Sequence, residues 1–144
     1  MEKKSGCYSQ QDRFSAFWER MALSYPSPFE NKTFADTCRV ISLVKSNGVE
    51  IGGASILDIG CGTGIFALPL AREAAMVTGL DDSEIMISRM KNVMTSEGIR
   101  NATPVRASWK AIDISARRFE KAFDIVWVSM SSAIQTAQDF HRQR

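Results

Sequence analysis

The chain has 144 residues, of which 44% are hydrophobic and 24% charged, and its formal net charge is +2. That length predicts one domain with room for a core, and the composition is that of an ordinary soluble globular protein. So small a charge leaves no basic footprint for nucleic acid, and no stretch approaches the roughly 18 apolar residues that cross a bilayer.

The polar opening, Met1 to Gln10, has no apolar run of the signal-peptide kind, and a cytoplasmic location is expected. Phe14, Phe17, Trp18, Met21 and Ala22 then recur at helical spacing until Tyr25-Pro26-Ser27-Pro28 breaks the helix. Ser27 is a candidate N-cap for a second helix, with Pro28 at its first position and Glu30 closing a capping box. Phe34, Cys38, Ile41 and Val44 or Lys45 carry its stripe to Asn47-Gly48, where Gly48 suits a left-handed cap. Residues 1–50 thus read as an N-terminal helical segment and residues 51–144 as a second unit.

From Ala54 the period changes. Ser55 to Ile59 is a short apolar run ending in Gly60-Cys61-Gly62-Thr63-Gly64, after which Phe66, Leu68, Leu70 and Ala71 resume a helix. Ala75 to Leu80 is a second apolar run, ended by Asp81-Asp82-Ser83. Ser83 caps a helix carrying Ile85, Met86, Met90, Val93 and Met94, and Gly98 closes it. A weak strand, Thr103 to Ala107, precedes a polar, partly helical stretch to Lys121, whose Arg117, Arg118 and Lys121 read as a solvated helix face. A strong strand, Phe123 to Ser129, follows, its Asp124 placed to brace the strand's start. This alternation predicts an α/β fold: a Rossmann-like open parallel sheet, strand order 3-2-1-4, with helices on both faces.

The chemistry is concentrated in Leu57-Asp58-Ile59-Gly60-Cys61-Gly62-Thr63-Gly64. A buried strand delivers the chain into a turn whose glycines carry no side chain to block a close ligand. About twenty residues on, Asp81 ends the next strand, where a carboxylate can accept both hydroxyls of a ribose. Cys61 reads as a small residue chosen for space, because no histidine neighbours it. Cys7, Cys38 and Cys61 fit neither a zinc spacing nor a disulfide framework, and His141 is the single histidine, so no metal site is expected.

Asp58-Ile59-Gly60-Cys61-Gly62-Thr63-Gly64 resembles motif I of the class I S-adenosylmethionine-dependent methyltransferases. Val77-Thr78-Gly79-Leu80-Asp81, with Ser83 and Met86, is similar to their second motif, and Phe123-Asp124-Ile125-Val126 to their fourth strand. The resemblance runs from about Phe14 to Ala133. It implies S-adenosylmethionine as cofactor, with Gly60, Cys61, Gly62, Thr63 and Gly64 beneath its methionine part and Asp58 near its ammonium group. It places Asp81 on the ribose, Asp82 and Met86 beside the adenine, and Ser108 and Trp109 after the third strand. Relatives usually carry an acid at the Ser108 position, and a hydroxyl there accepts the adenine amino group without charge assistance. Ser129 and Met130 would line the gap between sulfonium and acceptor. Trp18 and Tyr25 match a helix that folds over the cofactor, which makes residues 1–50 a lid.

The resemblance implies methyl transfer to a small-molecule acceptor, since no Asn-Pro-Pro-Tyr-like tetrapeptide follows the fourth strand. Complete relatives continue for three further strands. The chain therefore reads as truncated after strand four, and that strand as an exposed edge open to a partner chain or to self-association. The alternative is a non-catalytic remnant or subunit that keeps the cofactor fold. A nicotinamide-dependent oxidoreductase is the other rival. It is disfavoured by the Gly-x-Gly-x-Gly spacing, which leaves Ile65 where the dinucleotide fingerprint has its last glycine.

Overall fold

The computed structural model describes residues 10–129. Two helices, α1 (Gln10–Ala22) and α2 (Asn31–Ser46), precede β1 (Ser55–Ile59), α3 (Ala67–Leu70), β2 (Met76–Asp81), α4 (Glu84–Glu97), β3 (Ala102–Arg106) and β4 (Ile125–Val128). All neighbouring strands are parallel, in the order β3-β2-β1-β4. This is the Rossmann-like open sheet that the alternation of elements predicts. The register sets Asp58 opposite Gly79 on one side and Trp127 on the other.

Side chains alternate along each strand and so divide between two faces. Ile56, Val77, Ala102 and Trp127 join Ile41, Leu68, Leu70, Ile87 and Met90 from α2, α3 and α4 in the main core. Leu57, Ile59 and Leu80 point the other way, beneath Val105, Trp109, Ile112, Phe119 and Phe123. The cover over this second face, residues 107–124, runs as turns. The helical stretch expected up to Lys121 does not form, because Arg118 and Lys121 take φ values of 56° and 53°, which a right-handed helix cannot contain. Arg117, Arg118 and Lys121 are therefore exposed on a turn. On β4, Val126 and Val128 remain 57% and 39% exposed, so the described residues leave this strand's second face largely uncovered.

Local signals fix most boundaries. Ser83 caps α4 by accepting the Met86 N–H at 3.2 Å, and Gly98 ends it in a left-handed conformation. Asp124 braces the start of β4 by accepting the Ser55 N–H at 2.8 Å and the Ser55 hydroxyl at 3.0 Å. The expected N-cap at Ser27 is displaced: α2 begins at Asn31, with Glu30 as its cap residue. Ser27 to Glu30 instead forms a turn, in which the Ser27 N–H donates to the Glu30 carboxylate at 3.0 Å. The helix after the glycine loop is also shorter than its apolar spacing suggests. It ends at Leu70, and the Arg72 and Glu73 amides turn back to the carbonyls of Pro69 and Leu70. Cys7, Met130 and His141 lie outside the described residues. Among the described residues, no helix is long and apolar enough to cross a membrane.

Candidate functional site

A cavity of about 380 Å³ is lined by Asp58, Gly60, Cys61 and Gly62 at the end of β1, Asp81 and Asp82 after β2, Ala107 to Trp109 after β3, and Ser129 after β4. It therefore sits at the carboxyl ends of the strands. The crossover from β3 to β4 reverses the strand order there, and such a switch point is where open α/β sheets leave a crevice.

The glycine loop is shaped by its backbone. Gly60, Gly62 and Gly64 have φ values of 73°, 56° and 90°, a region that side chains with a Cβ rarely adopt. The N–H groups of Gly60 and Cys61 both donate to the Leu80 carbonyl at 2.8 Å, binding the loop to the end of β2. The next amide, that of Gly62, donates to Asp81 Oδ2 at 2.8 Å, while the Ser83 N–H donates to Oδ1 at 3.0 Å. A carboxylate has about four lone-pair sites, so each Asp81 oxygen keeps capacity for a further donor. Burial pushes the Asp81 carboxyl up from its ordinary range, and these two N–H groups draw it back.

Asp58, only 3% exposed, also lines the cavity. Burial pushes its carboxyl up to about 7, the charge of Asp81 adds to this, and the Ala67 backbone N–H opposes it. Two carboxylates in one recess repel each other and favour a cationic guest. The indole N–H groups of Trp18 and Trp109, two other residues of the lining, are buried without an acceptor among the described residues. The polar lining is thus specific: hydroxyl donors suit Asp81, a cation suits Asp58, and acceptor atoms suit the two indoles. A nucleoside carrying an ammonium group answers each of these needs.

Asp58, Gly60, Cys61, Gly62, Asp81, Asp82, Met86, Ser108, Trp109 and Ser129 all line this one cavity. Thr63 and Gly64 stand behind the wall. The Thr63 side chain is fully buried and its hydroxyl donates to the Pro26 carbonyl at 2.8 Å. Gly64 makes room for packing, since a Cβ there would lie 2.8 Å from Leu68 Cγ. Cys61 fills space: its sulfur is buried 3.8 Å from Met90 Sδ, and burial, then Asp58 and Asp81, push its thiol well above the ordinary value. A thiol held so high is a poor nucleophile.

Trp18 and Tyr25 enter the cavity from the α1 side, their rings edge-to-face with centroids 6.1 Å apart. Tyr25 lies over the glycine loop, its Cε1 3.7 Å from where a Gly62 Cβ would be. Burial, and then Asp81, raise its phenol. Motif reading alone misses one wall, formed by Thr33, Asp36, Thr37 and Val40 of α2. Their spacing is itself helical, a polar stripe beside the apolar one at Phe34, Cys38 and Ile41, and it is the signal that could have found them. Asp36 is held below the usual carboxylate range by its hydrogen bond and ion pair with Lys32 at 2.6 Å, with Arg39 at 3.1 Å.

Comparison with known proteins bears on the family and the fold. A profile of the family described as "Methyltransferase domain" matches residues 56–143. A ubiquinone biosynthesis O-methyltransferase of Photorhabdus laumondii is 36% identical over 84 residues, covering 58% of this chain and 32% of that protein. The 23S rRNA (uracil(1939)-C(5))-methyltransferase of Aeromonas salmonicida is 34% identical over 71 residues, 49% of this chain and 16% of that protein. The chain thus spans a third or less of the length of these curated relatives. Among solved structures, magnesium protoporphyrin IX methyltransferase from Synechocystis PCC 6803, crystallised with S-adenosylmethionine, shares the fold. The TM-score is 0.67 and the identity 17%, over 94% of this chain and 69% of that one. On the matched profile and the shared sheet, the chain belongs to the methyltransferase-domain family, within the class I S-adenosylmethionine-dependent methyltransferases.

Proposed function

We propose that the cavity binds S-adenosylmethionine and that the activity is methyl transfer to a small-molecule acceptor. The observation that carries this reading is Asp81: a part-buried carboxylate at the end of β2, with each oxygen holding one backbone N–H and retaining room for a ribose hydroxyl. Asp58 would meet the ammonium group, Gly60, Cys61 and Gly62 the methionine chain, and Asp82, Met86, Ser108 and Trp109 the adenine side. Residues 1–50 would act as a lid over residues 51–144, presenting Trp18 and Tyr25 to the ligand. Thr63 and Gly64 would contribute by shaping the loop from behind. Ser129 would stand at the acceptor side.

When bound, the cofactor supplies an activated methyl group together with its own leaving group. The protein's task is then to hold the acceptor in line and keep water out, an effect that can contribute roughly 7–11 kcal/mol in favourable cases. A general base is required only if the acceptor must lose a proton. The net charge of only +2 supports a small acceptor over RNA, the substrate class named for the Aeromonas relative.

Calorimetric titration of the 144-residue chain with S-adenosylhomocysteine, with NAD as control, tests the cofactor half of the reading. Saturable binding that Asp81→Ala abolishes is the expected result. A folded chain that binds NAD instead, or neither ligand, would overturn it.

A further inference from the structure

We infer that Thr63 and Arg89 are positioning residues that hold the α1–α2 connection, and with it Trp18 and Tyr25, over the cofactor end of the cavity. The inference rests on the cofactor reading above but adds residues to which the family motifs give no such role.

Two bonds carry it. Arg89, on α4, donates from Nη1 to the carbonyl of Ala22 at 2.5 Å. Ala22 is the last residue of α1 and is wholly buried. Carbonyls in a helix's last turn have no partner within the helix and form its negative end, so a guanidinium satisfies both needs there. Four residues further on, the Thr63 hydroxyl donates to the Pro26 carbonyl at 2.8 Å. Tyr25 lies between these anchors, and Trp18 packs against it from within α1.

The strap between the anchors and the turn that follows it are stiff. Pro26 and Pro28 each fix a backbone torsion, and Pro28 is fully buried. The Ser24 amide is bonded to the Met21 carbonyl, and the Ser27 amide to Glu30. Thr63 directly follows Gly62, whose amide is bonded to Asp81. A continuous path therefore joins the strap, the glycine loop and the carboxylate proposed to hold the ribose. Thr63 serves this path through its side chain, which is turned towards the strap and away from the cavity.

The test uses the full chain and two independent variants, Thr63→Val, which keeps the shape without the hydroxyl, and Arg89→Met, which keeps an aliphatic stem without the charge. Amide hydrogen exchange without ligand and calorimetric affinity for S-adenosylhomocysteine are the two readouts. Both variants are expected to speed exchange at Ser24 and Ser27 while leaving the β1 and β2 amides protected. Affinity should fall roughly fivefold to tenfold, the scale of one lost hydrogen bond. Thr63→Ser should restore both readouts.

Unchanged exchange at the strap in both folded variants would overturn the inference, as would faster exchange with unaltered affinity. Failure of the wild-type chain to bind S-adenosylhomocysteine sinks the cofactor reading, and with it the claim that the strap serves a cofactor. The exchange readout would then report only whether the two bonds hold the strap.

Discussion

The amide of Gly62 donates to the carboxylate of Asp81, nineteen positions downstream, across 2.8 Å. One bond thus joins the two sequence motifs, and the acid's orientation depends on the loop as much as on its own strand. Asp81→Asn can offer only one oxygen to the two amides that Asp81 serves, so the loop should loosen as the proposed ribose contact is lost. The expected outcome is a 10- to 100-fold loss of S-adenosylhomocysteine affinity, about 1.4–2.7 kcal/mol, in a calorimetric titration. An unaltered affinity would remove Asp81 from the site.

Asp58 and Asp124 predict pH effects of opposite sign. The carboxyl of Asp58, raised by burial to about 7, binds its proton more tightly in the folded chain than in the unfolded one. Its contribution to stability is whole below the unfolded value of about 4 and is lost as pH rises through about 7. Asp124 is held low, first by the Ser55 N–H and then by its hydroxyl, so its contribution is present above the unfolded value and lost in acid. Thermal melts across pH should show Asp58→Asn flattening the decline towards neutral pH and Asp124→Asn flattening the acid limb. If Asp58→Asn leaves the neutral limb as steep as before, the decline has another source.

A cation seated beside Asp58 should also drive its proton off. Binding of S-adenosylhomocysteine between about pH 5 and 7 is then expected to release protons. Calorimetry in buffers of different ionisation enthalpy measures that number directly, and zero release would separate Asp58 from the ammonium group.

The loop's glycines should divide by consequence. Gly64→Ala puts a Cβ 2.8 Å from Leu68 Cγ and 3.1 Å from Met90 Cγ at a φ of +90°, and should lower stability by at least about 1–3 kcal/mol. Among the described residues, a Cβ at Gly62 would meet Tyr25 and Met86, at 3.7 and 3.8 Å. Its main effect should be on affinity, with a smaller loss of stability from its left-handed backbone, about 1–2 kcal/mol. Denaturant titrations paired with calorimetry distinguish the two, and equal profiles would contradict the geometry.

Gly79 on β2 and Cys61 in the loop after β1 form a matched pair. A Cβ at Gly79 would lie 2.9 Å from Cys61 Sγ and 3.1 Å from its Cβ. Gly79→Ala alone should destabilise by about 1–3 kcal/mol. Adding Cys61→Ala removes the colliding sulfur, so the double variant should lose less than the sum of the two single losses, a coupling of at least about 0.5 kcal/mol. Simple additivity would mean that the two side chains do not compete for space.

Much of this was legible because short-range chemistry set it. Ser83 and Gly98 bound α4 where their capping chemistry puts them, and the acid after the second apolar run falls in the same cavity as the glycine loop. The start of α2 was misread because Glu30 answers the Ser27 amide equally well from a turn. The stretch up to Lys121 was misread because its polarity suits an exposed turn as well as an exposed helix, and only the backbone at Arg118 and Lys121 decides between them. The α2 wall was overlooked because a polar stripe such as Thr33, Asp36 and Thr37 looks like solvent-facing surface until tertiary packing turns it inward. Thr63 shows the converse: its place in the motif is clear from sequence, but the direction of its hydroxyl depends on a strap 37 positions away.

The paired donation of Gly60 and Cys61 to the Leu80 carbonyl bears on kinetics as well as shape. A glycine-rich loop free in solution would sample many conformers and have to surrender them on meeting a ligand. Here that freedom is already gone when the chain folds, because β2 holds the loop in its final curve. Little ordering then remains for the encounter itself, which lowers the entropic penalty of association. Any conformational step in ligand capture should accordingly fall outside this floor, which is set before the ligand arrives.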